Sequence, residues 1–480
     1  MSTRQWNRSI KLAAATAVAA GAATIASVQV ATHDRDDQAS ELRRAIDGGR
    51  AKNVILFLGD GMGDSEITIA RNYQVGAGGR LWMDSLPLTG AYTTYALQES
   101  NPSLIDYVTD SAASGTGWAT GFKTSNGRVS SIAGTGAAVT RYDTILELAQ
   151  KAGFKTGNVS TAEITDATPA VLDSHINERG CQGPANMANC APSKKENGGP
   201  GSIAEQTVDH HVNVVLGGAK ARFDQVITGG PHAGKTVIQS AQAQGYTVVT
   251  DAANLQLASG NRVLGLFNAG NMSLEWGGQI AAPSPGSGLP AGQVCQENQR
   301  PVNEPSLAAM TTKAIDLLHE EDGQGPWKLH DDRFPHRRNR GFFLQVEGAS
   351  IDKQDHVEAP CQQIGETIAF DRAVKVGLDF AKHHPDTLII ITADHAHTSQ
   401  IVPVPAANDT TRPGTLSTLL TKVDRSLMTV SYGTRAHGQS QDHTGAQVRI
   451  AAQGPQAAGV VGVTDQTDLF HLMARALGIE

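Results

Sequence analysis

The sequence predicts an α/β protein built on a doubly wound, mostly parallel sheet with helices on both faces. Three observations carry that expectation. Residues 53–58, 342–346 and 388–392 are short, nearly continuous apolar runs, the pattern of strands buried on both faces. Each run ends on a carboxylate: Asp60 after Gly59, Glu347 directly, and Asp394 after Ala393. A helical stretch, 364–383, stands between the second and third runs, the strand–helix–strand order of a parallel βαβ unit with a right-handed crossover. Open α/β sheets hold ligands at the carboxyl ends of their strands. Acids gathered there repel one another unless cations sit between them, so the pattern points to a metal cluster on one sheet edge.

The elements follow in order. The first strand, 53–58, leads through a glycine turn into a helix from about Ser65. Residues 142–153 are helical by apolar spacing, with Ile145, Leu146, Leu148 and Ala149 on one face. Strands are expected at 155–160, 212–216 and 262–267. Residues 269–304, rich in Gly, Pro, Ser and Asn, read as a long surface connection. Residues 306–319 form an amphipathic helix, 447–452 a late strand and 468–477 a closing helix. There is no internal repeat, so one catalytic domain is expected over 51–480, with residues 321–340 looking inserted. That insertion carries Lys328, Arg333, Arg337, Arg338 and Arg340, and reads by default as a solvated loop.

The whole-chain charge of −8 disfavours a nucleic-acid partner bound through a broad basic surface. At the N-terminus, Arg4, Arg8 and Lys11 precede an uncharged stretch from Leu12 to Val30. Residues 1–31 therefore read as a signal peptide or an uncleaved membrane anchor, followed by a charged lead-in over 32–50. Four cysteines fit an exported chain. Three pairings are possible; Cys181–Cys190 with Cys295–Cys361 is the expected one. Thiolate zinc binding would need closer C-x-x-C spacing than the chain offers.

Several residues have the chemistry of ligands or catalysts. Asp60 lies in Gly59-Asp60-Gly61-Met62-Gly63-Asp64, where Asp64 takes the place of the third glycine of a dinucleotide fingerprint. Glycines flanking an acid suit close approach of a metal to the backbone. Asp352 and His356 are four residues apart, on one helical face, a spacing that can grip a cation. Asp394-His395 follows its strand directly; His397 is a candidate by proximity, and His443 precedes the late strand. Singly, each of these histidines is better explained as a surface or core residue; their common position at strand ends changes that. Ser111, after Asp110 and before Ala112-Ala113-Ser114-Gly115, is the nucleophile candidate, with no bulk near its hydroxyl and helical N–H groups beside it. The commoner use of such a serine is as an N-cap. Asp166 and Thr168, two residues apart, offer hard oxygens suited to magnesium, although Asp and Pro here would also suit an ordinary turn. Arg179 has the planar fork that grips two phosphate oxygens.

Taken together, residues 57–63, 108–114, 166–169, 345–353, 392–397 and 442–445 resemble bacterial alkaline phosphatase, in the same order along the chain. The resemblance implies two zinc ions, one on Asp352, His356 and His443 and one on Asp60, Asp394 and His395. It implies a magnesium ion on Asp60, Asp166, Thr168 and Glu347. Ser111 would be the nucleophile, Arg179 the phosphate clamp oriented by Asp110, and Lys353 a phosphate contact through water. The substrate would be a phosphate monoester and the assembly a periplasmic homodimer. The family's disulfides match the pairing above. Six site carboxylates against Arg179 and Lys353 leave a charge of −4, which three divalent ions turn to +2, so an anion is attracted only to the loaded site.

Four rival readings fit the sequence less well. A phosphodiesterase would share the two-zinc core without Arg179 or the magnesium set. A sulfatase would need Pro and Arg after the nucleophile, and Ser111 has neither; a Ser–His–Asp hydrolase would need a G-x-S-x-G elbow. A structural zinc protein would not need every ligand position filled by a competent residue.

Overall fold

The first strand, β1 (Asn53–Gly59), is buried along its whole length. Strands occupy both of its edges, and Val54, Ile55, Leu56, Phe57 and Leu58 are all 0% exposed, each contributing roughly 1.5–3 kcal/mol by burial. The structure, a computed structural model, describes residues 48–319 and 340–480. These fall in one compact unit. The expected signal or anchor segment, nearly all of the 32–50 lead-in, and the insertion up to residue 339 lie outside the described residues.

Nine further strands complete the main sheet: β2 (Leu88–Thr93), β3 (Lys155–Glu163), β4 (Val214–Gly218), β5 (Thr247–Val249), β6 (Val263–Leu266), β7 (Phe342–Gly348), β8 (Thr387–Ala393), β9 (Val448–Gln453) and β10 (Gly462–Asp465). The order across the sheet is β10-β2-β9-β8-β1-β7-β3-β4-β6-β5. Only β9 runs antiparallel to its neighbours, β8 and β2, so the sheet is mostly parallel as expected. The strands β7 and β8 are parallel, but β1 lies between them, so the helix joining them crosses over an intervening strand.

Helices cover both faces. Adjacent residues of a strand point to opposite sides, and β7 shows this directly. Phe342 meets Phe380 of the helix Pro360–His383, ring centroids 5.8 Å apart. Gln345 points the other way, accepting from Trp118 of the helix Ser111–Thr120 at 3.1 Å and donating to the carbonyl of Thr168 at 2.9 Å.

Element ends differ from expectation where local chemistry sets them. The helix expected at 142–153 begins at Ile145, because Thr144 and Glu147 form a capping box; it spans Ile145–Lys151. The helix expected from 364 starts four residues earlier, with Pro360 at its first turn. The 269–304 connection contains three two-residue strands, one of which pairs into a separate four-stranded sheet with Gln400–Val402, Thr415–Leu420 and Leu427–Tyr432. Both expected disulfides, Cys181–Cys190 and Cys295–Cys361, are present.

Candidate metal centre and active site

Strand register builds the site. Leu58 is level with Glu347 and Gly59 with both Gly348 and Ala393. Asp60, Glu347 and Asp394 therefore emerge side by side from three neighbouring strands, with Ser160 of β3 level with Glu347. The turn after β1 depends on glycine. Gly61 has φ +65°, and a Cβ there would lie 3.0 Å from both Cα and Cβ of Asp352. Its N–H donates to Asp394 Oδ1 at 2.8 Å.

Two ligand groups assemble on this edge. Asp60, Asp394 and His395 are buried together, with His395 Nε2 3.2 Å from Asp394 Oδ2 and 3.5 Å from Asp60 Oδ1. Asp352, His356, His397 and His443 form the other, with the three Nε2 atoms 3.2–3.3 Å from Asp352 Oδ1. Within it, His356 and His443 bring their Nε2 atoms to 3.1 Å. His443 Nδ1 faces the carbonyl of Thr109, and His356 Nδ1 that of Gln441. Carbonyls only accept, so both Nδ1 atoms carry protons and both Nε2 atoms present lone pairs. Two lone pairs at that distance repel unless a proton or a cation lies between them. Asp352 Oδ1 and Asp394 Oδ2 are buried with no hydrogen-bond partner. These orphaned acceptors and convergent imidazoles fit divalent cations.

His397 plays a different part from the one proximity suggests. Its Nδ1 accepts the N–H of Thr398 at 2.9 Å, which places the ring proton on Nε2, facing Asp352. A protonated Nε2 offers no lone pair to a metal, and its 3.3 Å approach to Asp352 Oδ1 is an electrostatic contact without hydrogen-bond geometry.

Ser111 is the first residue of its helix, and the N-cap is Asp110, whose Oδ1 accepts from the N–H of Ala113 at 2.9 Å. That releases the serine from capping. Ser111 Oγ is 3.4 Å from Asp60 Oδ1 and 3.5 Å from His395 Nε2. Ser114 ties the same helix to the sheet edge by donating to the carbonyl of Asp394 at 2.7 Å. The Oδ2 of Asp110 accepts from Gly127 N at 3.0 Å and from Arg179 Nη1 at 3.1 Å. Arg179 Nη2 donates to Asp166 Oδ1 at 2.9 Å, and Lys353 Nζ to Asp166 Oδ2 at 2.7 Å.

The candidate catalytic and metal-ligating residues thus gather about one sheet edge. Asp166 is the exception in its contacts: its oxygens are engaged by Arg179, Lys353 and the N–H of Ala167. Thr168 Oγ1, by contrast, is buried without a hydrogen-bond partner. Two supporting residues escaped the sequence reading. Ser160 donates to Glu347, and Ser114 pins the helix that begins at Ser111. Only register, not composition, would have found Ser160.

The family profile described as alkaline phosphatase matches residues 51–437 and 420–479. The chain belongs to the alkaline phosphatase family. It is 49% identical over 450 residues to an alkaline phosphatase of Escherichia coli, covering 92% of this chain and 90% of that one. It is 48% identical over 430 residues to the streptomycin-6-phosphate phosphatase of Streptomyces griseus, covering 89% and 91%. Among solved structures, the alkaline phosphatase of the Antarctic bacterium TAB5 superposes with a TM-score of 0.63 at 23% identity, over 90% of this chain and 99% of that one. The alkaline phosphatase of Thermus thermophilus gives 0.62 at 22% identity, over 92% and 94%. As a member of this family the chain is a phosphomonoesterase.

Charge burial in this alkaline phosphatase is severe. Burial pushes Glu347 up to about 8, with Asp166 adding to the rise. Burial, then Asp394 and Asp352, hold Asp60 well above the carboxylate range. Asp352 is buried too, which alone would raise it, yet its three imidazoles hold it well below. Burial works against charge on His443, but Asp352 raises it to about 9. Asp60, Glu347 and His443 are thus all biased toward holding a proton. Groups so biased would take up divalent cations in competition with protons.

Proposed function

We propose that this phosphomonoesterase works through a phosphoserine on Ser111, with two zinc ions and one magnesium ion. The observation that carries the reading is the position of Ser111 Oγ, freed from capping by Asp110 and set between Asp60 and His395. Asp352, His356 and His443 would hold one zinc; Asp60, Asp394 and His395 the other; Asp60, Asp166, Thr168 and Glu347 the magnesium. When bound, these ions supply Lewis-acid stabilisation of the attacking and leaving oxygens and cancel the charge of the carboxylates.

The chain's own residues do the rest. Arg179 has N–H donors beyond the two given to Asp110 and Asp166, and these hold non-bridging phosphoryl oxygens. Asp110 fixes the guanidinium and the helix start together. Lys353 faces the phosphoryl group through water from its station on Asp166. Ser111 Oγ bonds to phosphorus as the ester oxygen leaves with a proton, and water then cleaves the phosphoserine to inorganic phosphate. Selectivity falls on the phosphoryl group, so varied alcohols are accepted. The Arg179 clamp favours monoesters over diesters, because a second ester group removes an anionic oxygen that the guanidinium would hold. We further infer export to the periplasm by the N-terminal segment, consistent with two disulfides, and assembly as a homodimer, as in the family. Among the described residues no helix is long and apolar enough to cross a membrane.

The test is chemical trapping. Incubation with labelled phosphate at acid pH should label Ser111 in the parent and nothing in Ser111→Ala, while chelation should abolish turnover and zinc with magnesium restore it. Label on another residue in the Ser111→Ala protein, or full turnover by metal-stripped protein, would overturn the mechanism.

A further inference from the structure

A second set of imidazoles and a carboxylate converges away from the catalytic edge. The ligand atoms of Glu147, His175 and His210 lie within 4.8 Å of one another. Glu147 sits in the first turn of the helix Ile145–Lys151, His175 follows the helix Ala167–Asp173, and His210 caps the C-terminus of Ile203–Asp209. Glu147 and His175 are buried, at 6% and 2% exposure, and His210 is partly so.

Their hydrogen bonds fix the tautomers. His175 Nδ1 is 2.7 Å from the carbonyl of Ser130, and His210 Nδ1 is 2.8 Å from that of Gln206. Both Nδ1 atoms must therefore carry protons, so in the neutral ring each Nε2 presents its lone pair. Both Nε2 atoms face Glu147. That of His175 is 3.2 Å from each carboxylate oxygen, and that of His210 is 3.0 Å from Oε1. Ligands about 2.0–2.1 Å from a tetrahedral zinc stand about 3.3 Å apart, close to these separations. Anchoring the far imidazole nitrogen on a carbonyl is also the support that metal-bound histidines use. Glu147 has two further contacts. Its Oε2 accepts from Thr144 N at 2.8 Å, and Arg141 Nη1, on a half-exposed side chain, lies 3.1 Å from Oε1.

We propose that Glu147, His175 and His210 form an additional, structural zinc site, with water as the fourth ligand. Such an ion would join three helices. One of them, Ala167–Asp173, has Asp166 at its N-cap, and the chain beyond His175 reaches Arg179 four residues on. The ion would thus brace the segment that carries the phosphate clamp without touching substrate.

The test uses the zinc-loaded enzyme. Anomalous diffraction at the zinc edge should show a peak among Glu147 Oε1, His175 Nε2 and His210 Nε2, in addition to those at the catalytic edge. His210→Asn should remove that peak, lower bound zinc by one ion per chain, retain monoester turnover within about twofold, and lower Tm only when zinc is present. Glu147→Gln serves as a second variant, although it also alters a helix cap. Catalytic peaks with no peak at Glu147, or an unchanged zinc count in His210→Asn, would overturn the proposal. Because diffraction locates each ion separately, this result stands apart from the fate of the catalytic mechanism.

Discussion

Arg179 is held in place before any anion arrives. One of its terminal nitrogens donates to Asp110, the other to Asp166. A guanidinium kept in one orientation loses little entropy on binding, so its remaining donors act at nearly full strength. Arg179→Ala should raise the inhibition constant for inorganic phosphate roughly 10- to 100-fold, in line with the 1.5–3 kcal/mol of a hydrogen bond to a charged group. An inhibition constant that stays put would remove Arg179 from phosphate binding. At this scale the sequence was informative about identity and silent about partnership. Asp166 and Lys353 could be picked out from their motifs, but their 2.7 Å ion pair depends on two segments 187 residues apart meeting at the sheet edge. The role of His397 depends on which ring nitrogen accepts from Thr398, a detail fixed by the loop's conformation and invisible in residue type.

The elements were most legible where burial is total. The runs that became β1, β7 and β8 are apolar because no face of them meets water, and that leaves a plain signature. The sheet's exposed margin left none. Leu88–Thr93 has only one buried residue, Tyr92, and its Gly90 is demanded by tertiary contact, since a Cβ there would meet the carbonyl of Val460 at 1.9 Å. The antiparallel direction of β9 could not be read either, because direction is a property of pairing and not of composition. The turn between β1 and the helix Asp64–Val75 offers the sharpest test at this scale. Gly61→Ala combines a left-handed φ with a clash against Asp352, and should cost about 1–3 kcal/mol. On the proposed assignment of zinc to Asp352 it should also weaken zinc retention, since Asp352 must move. Thermal melts and zinc titration of the variant check both; a parent-like melting temperature with parent-like zinc affinity would show that the turn tolerates a side chain.

Across the whole molecule, ionisable groups buried far from the site shape the response to pH. Glu366, on the helix Pro360–His383, is 4% exposed, accepts from Glu275 N at 2.8 Å, and burial pushes it from the ordinary 4.5 up to about 8. A carboxyl whose folded pKa is raised binds its proton more tightly in the native state. Its contribution is fully present below about pH 4.5 and is lost as pH rises toward about 8. Glu366→Gln keeps the acceptor oxygen and removes the titration. Its stability relative to the parent should therefore improve between pH 5 and pH 9 by at least about 1.4 kcal/mol, the worth of one pKa unit. Denaturation midpoints at the two pH values decide the matter, and an equal difference at both would show that Glu366 does not titrate this way.

The imidazole cage around Asp352 is assembled from parts that meet at different stages of folding. Asp352 and His356 share one short helix, whereas His443 lies 87 positions beyond His356 and joins them only through the tertiary fold. Closure around a cation is thus coupled to completion of the fold. On the metal assignment proposed above, a polypeptide clipped ahead of His443 should release a divalent ion readily while the intact one keeps it.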